Sequence, residues 1–306
     1  MSTRTSSSPD SSKSQPVFNE LINPHRSVFA SGQRLGMLRA PMSHWSQIWN
    51  RRSLISFIVS GNLRTKVINT LLGRLWHLIP PVVQIAVYFV VVNYIFGGGG
   101  TRPKTVFVTI SVGILHWSFL NLCVSNSTTA ITSNDSLLKQ SPVPPVVFVG
   151  VLFREQLQHL GIKMGIMAVI LLMWGPELSW RLALYPVWIG MLLLNTWSLG
   201  LMVATLSVFF RDLEKAAGLF ILMMMYLCPV IYGVDFLTAN IGPVPLIDVI
   251  MLNPFAVNFA MIKWSLLGSD PIAMWQLGLA ACSSLGLFLF AHQVYERSRA
   301  KITKSL

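Results

Sequence analysis

The chain has 306 residues, 53% of them hydrophobic and only 11% charged, with a mean hydropathy of +0.59. A soluble domain of that length cannot hide so much apolar surface, which excludes a soluble enzyme or a nucleic-acid-binding protein and points to the membrane. The formal net charge of +12 is therefore read by position, as a topology signal and a surface for membrane lipids.

Residues 1–41 read as a disordered, Ser-rich cytoplasmic tail. Its first sixteen positions include Pro9 and Pro16 and hold too little apolar surface to offset ordering entropy. The first long apolar run begins only at Trp76, so no cleavable signal peptide is expected. Residues 42–75 read as an amphipathic interface helix and a cytoplasmic lead-in. Trp45, Ile48, Trp49, Leu54, Ile55 and Ile58, interrupted by Arg51 and Arg52, suit a helix lying among lipid headgroups.

Residues 76–292 read as an all-α integral membrane domain of six spans, near 76–96, 105–124, 146–174, 182–209, 217–237 and 272–292. Residues 293–306 follow as a basic cytoplasmic tail. Pro80, Pro81 and Pro229 fall inside expected spans, and Pro229 predicts a kink. Cys123, Cys228 and Cys282 all lie in apolar windows, where a thiol serves as a small hydrophobe.

An even number of spans puts both termini on one side. That side then carries seventeen Lys and Arg, against Arg102, Lys104, Arg181 and Lys263 on the other, with Arg154 and Lys163 inside the third span. The excess predicts cytoplasmic termini.

No catalytic or metal site is visible. The run Gly97–Gly100 followed by Thr101, Arg102, Pro103 and Lys104 looks like a phosphate loop but has no Gly before the Lys, and it reads as a turn between spans. The six histidines show no metal-ligand spacing on one helix. Glu155, His159 and Lys163 recur every four residues on one face of the third span. They form either a hydrated wall or a set of local pairs, Glu155 with His159 or Lys163, near the interface. Gly161 and Gly165 suggest a close helix-packing seam.

Several motifs together resemble the type-2 ABC exporter permeases, in their polysaccharide-export branch, whose members move O-antigen, capsule or teichoic acid chains. They are Leu72-Gly73-Arg74-Leu75-Trp76 with Pro80, Asn134 with Leu137, Leu138, Lys139 and Pro142, and Phe209-Phe210-Arg211-Asp212-Leu213. Pro229-Val230-Ile231-Tyr232 and Asn253-Pro254 complete the set. The resemblance covers roughly 45–292. It departs at Pro142-Val143-Pro144-Pro145, where the family commonly has a basic residue.

The resemblance implies a homodimer in the bacterial inner membrane with a pair of cytoplasmic ABC ATPase subunits. ATP and Mg would be bound by those partners and no cofactor by this chain, and the substrate would be a lipid-linked polysaccharide. It further implies coupling to the ATPase through Asn134, Leu137, Leu138, Lys139, Arg211 and Asp212, and short re-entrant gate helices within 238–271. Trp197, Phe220, Tyr226 and Tyr232 are the candidate wall of the translocation pathway, because aromatic rings give sugar chains weak, sliding contacts. Tyr226 and Tyr232 stand about 240° apart on an unbroken helix, so both could face one route only if the helix bends between them.

Two rival classes remain at this level. An integral-membrane lipid-linked sugar or acyl transferase would need acids or histidines gathered at one membrane face. An ion-driven secondary transporter would favour buried carboxylates in broken helices and inverted repeats. Neither pattern is present.

Overall fold

The computed structural model describes residues 36, 39–65, 76–95, 103–140, 143–176, 179–234, 237, 240–241, 244–269 and 272–305. The tail 1–35, the Leu72–Leu75 part of the first motif, the glycine run with Arg102, and Asp235 lie outside them, as does the side chain of Lys139.

Two helices open the described chain, α1 (Arg39–Asn50) and α2 (Arg52–Thr65). The expected single interface helix is thus broken at Arg51. Trp45 and Trp49 on α1 are exposed, and the Arg52 guanidinium lies 5.2 Å from the centre of the Trp49 ring.

The first span is shorter than expected. Helix α3 (Ile79–Val90) runs into a π-helical turn, Val91–Ile95. Its prolines do not interrupt it, since Pro80 and Pro81 sit in the first turn, where backbone N–H groups have no helical acceptor. Next come α4 (Pro103–Ser127), a 3₁₀ turn (Thr132–Asn134) with the short α5 (Asp135–Gln140), and α6 (Val146–Trp174). A second 3₁₀ turn (Trp180–Leu184) leads into α7 (Tyr185–Ser207).

The fifth span differs most from expectation. Helix α8 (Leu213–Leu227) does not kink at Pro229 but ends one residue before Cys228, which is extended. Its 15 residues rise only about 22 Å, short of a full bilayer core. A two-residue antiparallel pair, β1 (Asn240–Ile241) with β2 (Val244–Pro245), precedes α9 (Leu246–Ile250) and α10 (Pro254–Leu267). The side chain of Asn253 accepts the Phe255 N–H, Pro254 occupies the first turn, and Gly268 closes α10 with φ +73°. The last helix, α11 (Met274–Ser305), continues through the basic segment expected as a separate tail.

Among the described residues, four helical stretches are long and apolar enough to cross a membrane: Pro103–Ser127, Val146–Trp174, Trp180–Ser207 and Met274–Ile302. Ile79–Ile95 is an apolar helix below that length. At the centre, α4 and α7 pack together and α7 lies along α11; α6 rests on α4, and α10 fits among α4, α7 and α11. Helices α3 and α8 flank α4 from outside.

Candidate coupling, latch and pathway sites

The segments following α4 and α7 meet at one end of the bundle. Thr128, Thr132 and Asp135 from the first, with Ser207, Arg211 and Glu214 from the second, line a cavity of about 470 Å³. Local hydrogen bonds shape its wall: Thr128 Oγ1 donates to the Ser125 carbonyl at 2.7 Å, and Ser207 Oγ to that of Val203 at 2.8 Å. Asn134 Nδ2 donates to the Ala130 carbonyl at 2.9 Å, which fixes the 3₁₀ turn ahead of α5. Arg211 and Asp212 are exposed beside it.

Leu137 and Leu138 are not equivalent. Leu137 is exposed, whereas Leu138 packs against the apolar cluster of Ile131, Val146, Tyr295 and Ile302 and against that of Ile55, Val59 and Val147. Leu137 is thus the more open of the two, while Leu138 is partly buried against the rest of the chain.

The same end holds a latch that sequence reading missed. Buried His44 on α1 bonds Glu296 on α11 through Nε2 and Oε2 at 2.8 Å, stacks on His292 at 5.4 Å, and meets the edge of Tyr295 at 4.8 Å. Tyr295 in turn accepts the Val146 N–H at 3.1 Å, bonding the first residue of α6 to α11. His44 and Glu296 are 252 residues apart, and neither carries a local pattern that predicts the pairing.

Glu155, His159 and Lys163 share one buried face of α6, and the His159 ring lies 4.0 Å from that of His77. Glu155 and Lys163 stand eight residues apart along the helix, a rise of about 12 Å. Lys163 Nζ has no hydrogen-bond partner among the described residues. Gly161 and Gly165 form no packing seam within the chain: both are exposed, and a Cβ at either would meet nothing within 4 Å.

The aromatic candidates separate as well. Trp197 belongs to the core, edge-on to Phe153 at 5.3 Å and with its indole N–H directed at His292 Nε2 at 3.5 Å, so it is unavailable to a sugar chain. Phe220 and Tyr226 are exposed on α8. The Tyr226 hydroxyl lies 3.2 Å from that of Tyr88 on α3, a residue not singled out from sequence. Because α8 ends before it, Tyr232 folds back and donates to the Tyr226 backbone carbonyl at 3.0 Å.

Beyond that break, two motifs meet. Asn253 Nδ2 reaches Met224 Sδ at 3.2 Å and Cys228 Sγ at 3.5 Å. Buried Lys263 donates from Nζ to the carbonyls of Val230 at 2.9 Å and Tyr232 at 2.8 Å. Lys263 is thus an interior residue rather than a surface cation.

The sequence has known relatives. Two proteins named O-antigen export system permease protein RfbA, from Klebsiella pneumoniae, are 25% and 23% identical to the chain over 206 residues, which is 66% of this chain and 76% of each relative. A protein of the same name from Myxococcus xanthus is 24% identical over 186 residues, 61% of this chain and 70% of the relative. The chain is similar to O-antigen export permeases. No protein-family model matches it. The similarity supports the resemblance to polysaccharide-exporting type-2 ABC permeases and, with the apolar helices, a multi-pass membrane protein. For such a permease, the notable feature is that residues 128–135 and 207–214, far apart in sequence, border one cavity.

Proposed function

We propose that the chain is the transmembrane permease subunit of an ATP-driven ABC exporter that moves lipid-linked polysaccharide across the bacterial inner membrane. It works as a homodimer, with both termini and the 128–140 and 207–214 segments on the cytoplasmic side, where a pair of ATPase subunits docks. The single observation that carries this reading is the shared cavity between those two segments, lined in part by exposed Arg211. A partner seated there touches the ends of α4 and α7, the two central helices, and so has leverage on the whole bundle.

The route for the glycan runs between two copies. Large side chains such as Trp117, Phe119 and Leu120 fill the centre of one chain, while α3 and α8 present Tyr88, Phe220 and Tyr226 outward or at its edge. The short α8 and the reversed segment after it, with α9 and α10, form the gate on the far side. ATP and Mg are bound by the partner, and this chain catalyses no reaction. Deleting the chain tests the reading. Surface polysaccharide is lost while lipid-linked glycan accumulates inside the cell; loss of both would assign the chain to glycan synthesis instead.

A further inference from the structure

We propose that Lys263 is a positioning residue, which clamps the chain reversal after α8 to α10 so that the broken helix end and α10 form a single unit. The break at Cys228–Tyr232 leaves carbonyls without helical N–H donors in a buried setting, where an unsatisfied polar group is costly. The ammonium of Lys263 supplies the missing donors, to Val230 at 2.9 Å and Tyr232 at 2.8 Å. A lysine is suited to the role because one nitrogen carries three rotatable donors and can serve carbonyls that point in different directions.

The seat is closed from two further sides. A Cβ at Gly113 on α4 would overlap the Val230 carbonyl oxygen, so only glycine allows α4 to approach the reversed backbone. Asn253 caps α10 with its Oδ1 and reaches Cys228 with its Nδ2. Cys228 and Val230 are fully buried as a result. Lys263 sits in the third turn of α10, so Asn253 at the start of that helix and Lys263 nearly three turns further on both grip the segment 228–232. Movement of α8 would therefore carry α10 with it. This role deepens the export reading, but the clamp itself does not depend on what is transported.

Reductive methylation of the native protein in membranes, read by mass spectrometry, reports the clamp without any variant. Lys263 should stay unmodified under conditions that modify exposed Lys104 and Lys215. Modification of Lys263 at the Lys104 rate would overturn the proposal. Cys228 reports the consequence: in a Cys123→Ser, Cys282→Ser background its labelling by N-ethylmaleimide should rise at least tenfold in Lys263→Met and stay near the parent in Lys263→Arg. If Lys263→Met does not accumulate, Lys263→Gln takes its place with the same two outcomes, and continued protection of Cys228 overturns the clamp.

With the ATPase bound, Lys263→Met should hydrolyse ATP at close to the parental rate but export at least tenfold less glycan, with Lys263→Arg recovering most of the loss. Released Cys228 with normal export would overturn the positioning role. A parent that exports no glycan would instead remove the export reading and leave the clamp standing on its labelling.

Discussion

Helices α4 and α6 carry apolar windows of nearly the same hydropathy, 1.7 and 1.6, yet 72% of that window is buried inside the chain in α4 and 22% in α6. Hydropathy therefore marks what belongs in a membrane and does not mark what lies inside the protein. Both helices turn polar residues inward, α6 through Glu155, Gln156, His159 and Lys163. The difference is that α4 is packed on more sides, by α3, α6, α7, α8 and α10. Helix α4 buries Ser111, His116, Ser118 and Ser127, and each returns a hydrogen bond to a carbonyl within its own helix. His116 also spans outward to the Tyr185 hydroxyl at 2.8 Å. Lipid tails are as apolar as leucine, so small and polar side chains rather than greasy ones select the face that turns inward.

The sharpest way to break that comparison is one large truncation on each helix. Trp117 on α4 is fully buried and its ring packs 5.7 Å from that of Phe259. Trp117→Ala leaves a cavity whose cost in a soluble core is about 3–5 kcal/mol. Within a bilayer the transfer part shrinks and the cavity part remains, so a loss near the lower end is expected, read as a fall in melting temperature in detergent. Leu172 on α6 is exposed, and Leu172→Ala should leave the melting temperature unchanged. Equal losses would mean that α6 is buried in the assembled protein to the same depth as α4.

The neighbours Leu137 and Leu138 repeat the contrast within one turn of α5. Leu138→Asp places an unpaired charge between two apolar clusters and should abolish accumulation of folded protein. Leu137→Asp should melt normally while co-purification with the ATPase and export both fall. Normal export and co-purification in Leu137→Asp would remove α5 from coupling.

The latch ranks below these. His44→Ala leaves Glu296 without its partner at a partly exposed site, where losing a charge-assisted bond is worth about 1–3 kcal/mol. The effect should be local, since α1 joins the bundle mainly along α6 and α11. Trypsin should cut faster after Arg51 and Arg52, while the global melting temperature moves little. Unchanged cleavage would show that the apolar contacts of α1 alone hold it.

Periodic signals were legible in the sequence, and long-range pairings were not. The third span was expected over 146–174 and α6 covers Val146–Trp174, because the flanking prolines and the glycine that mark its ends act locally. The motifs after the second and fourth spans were legible, but that Asp135 near the first shares a cavity with Arg211 and Glu214 at the second depends on how α4 and α7 pack, which no local pattern encodes. Pro229 signalled a disturbance, yet kink and termination cost the same local hydrogen bond. Termination prevails because Lys263 supplies donors and Gly113 room for the freed backbone, while Asn253 holds the Cys228 side chain. Lys263 was counted as a surface cation for the same reason: a single lysine in an apolar run gives no local sign of which backbone it will serve.

The smallest effect expected lies at the rim, where α3 and α8 touch. Tyr226 is exposed and shares its hydroxyl contact with Tyr88, while its backbone carbonyl accepts from Tyr232. Tyr226→Phe removes one exposed hydroxyl contact, worth at most about 1 kcal/mol, and keeps the ring. Its melting temperature should stay within a degree or two of the parent. Export is the discriminating measurement. If the ring face carries the sliding sugar contacts, Tyr226→Phe should export normally and Tyr226→Ala should export more slowly or release shorter chains, with ATPase binding unchanged. If instead the Tyr88–Tyr226 contact is what matters, Tyr226→Phe and Tyr88→Phe should fail alike. Tyr232→Phe offers the internal control, because its hydroxyl is turned back onto α8 and its loss should loosen the break without touching the exposed face. Normal export by Tyr226→Ala would move the route away from α8 altogether and leave this exposed rim to lipid.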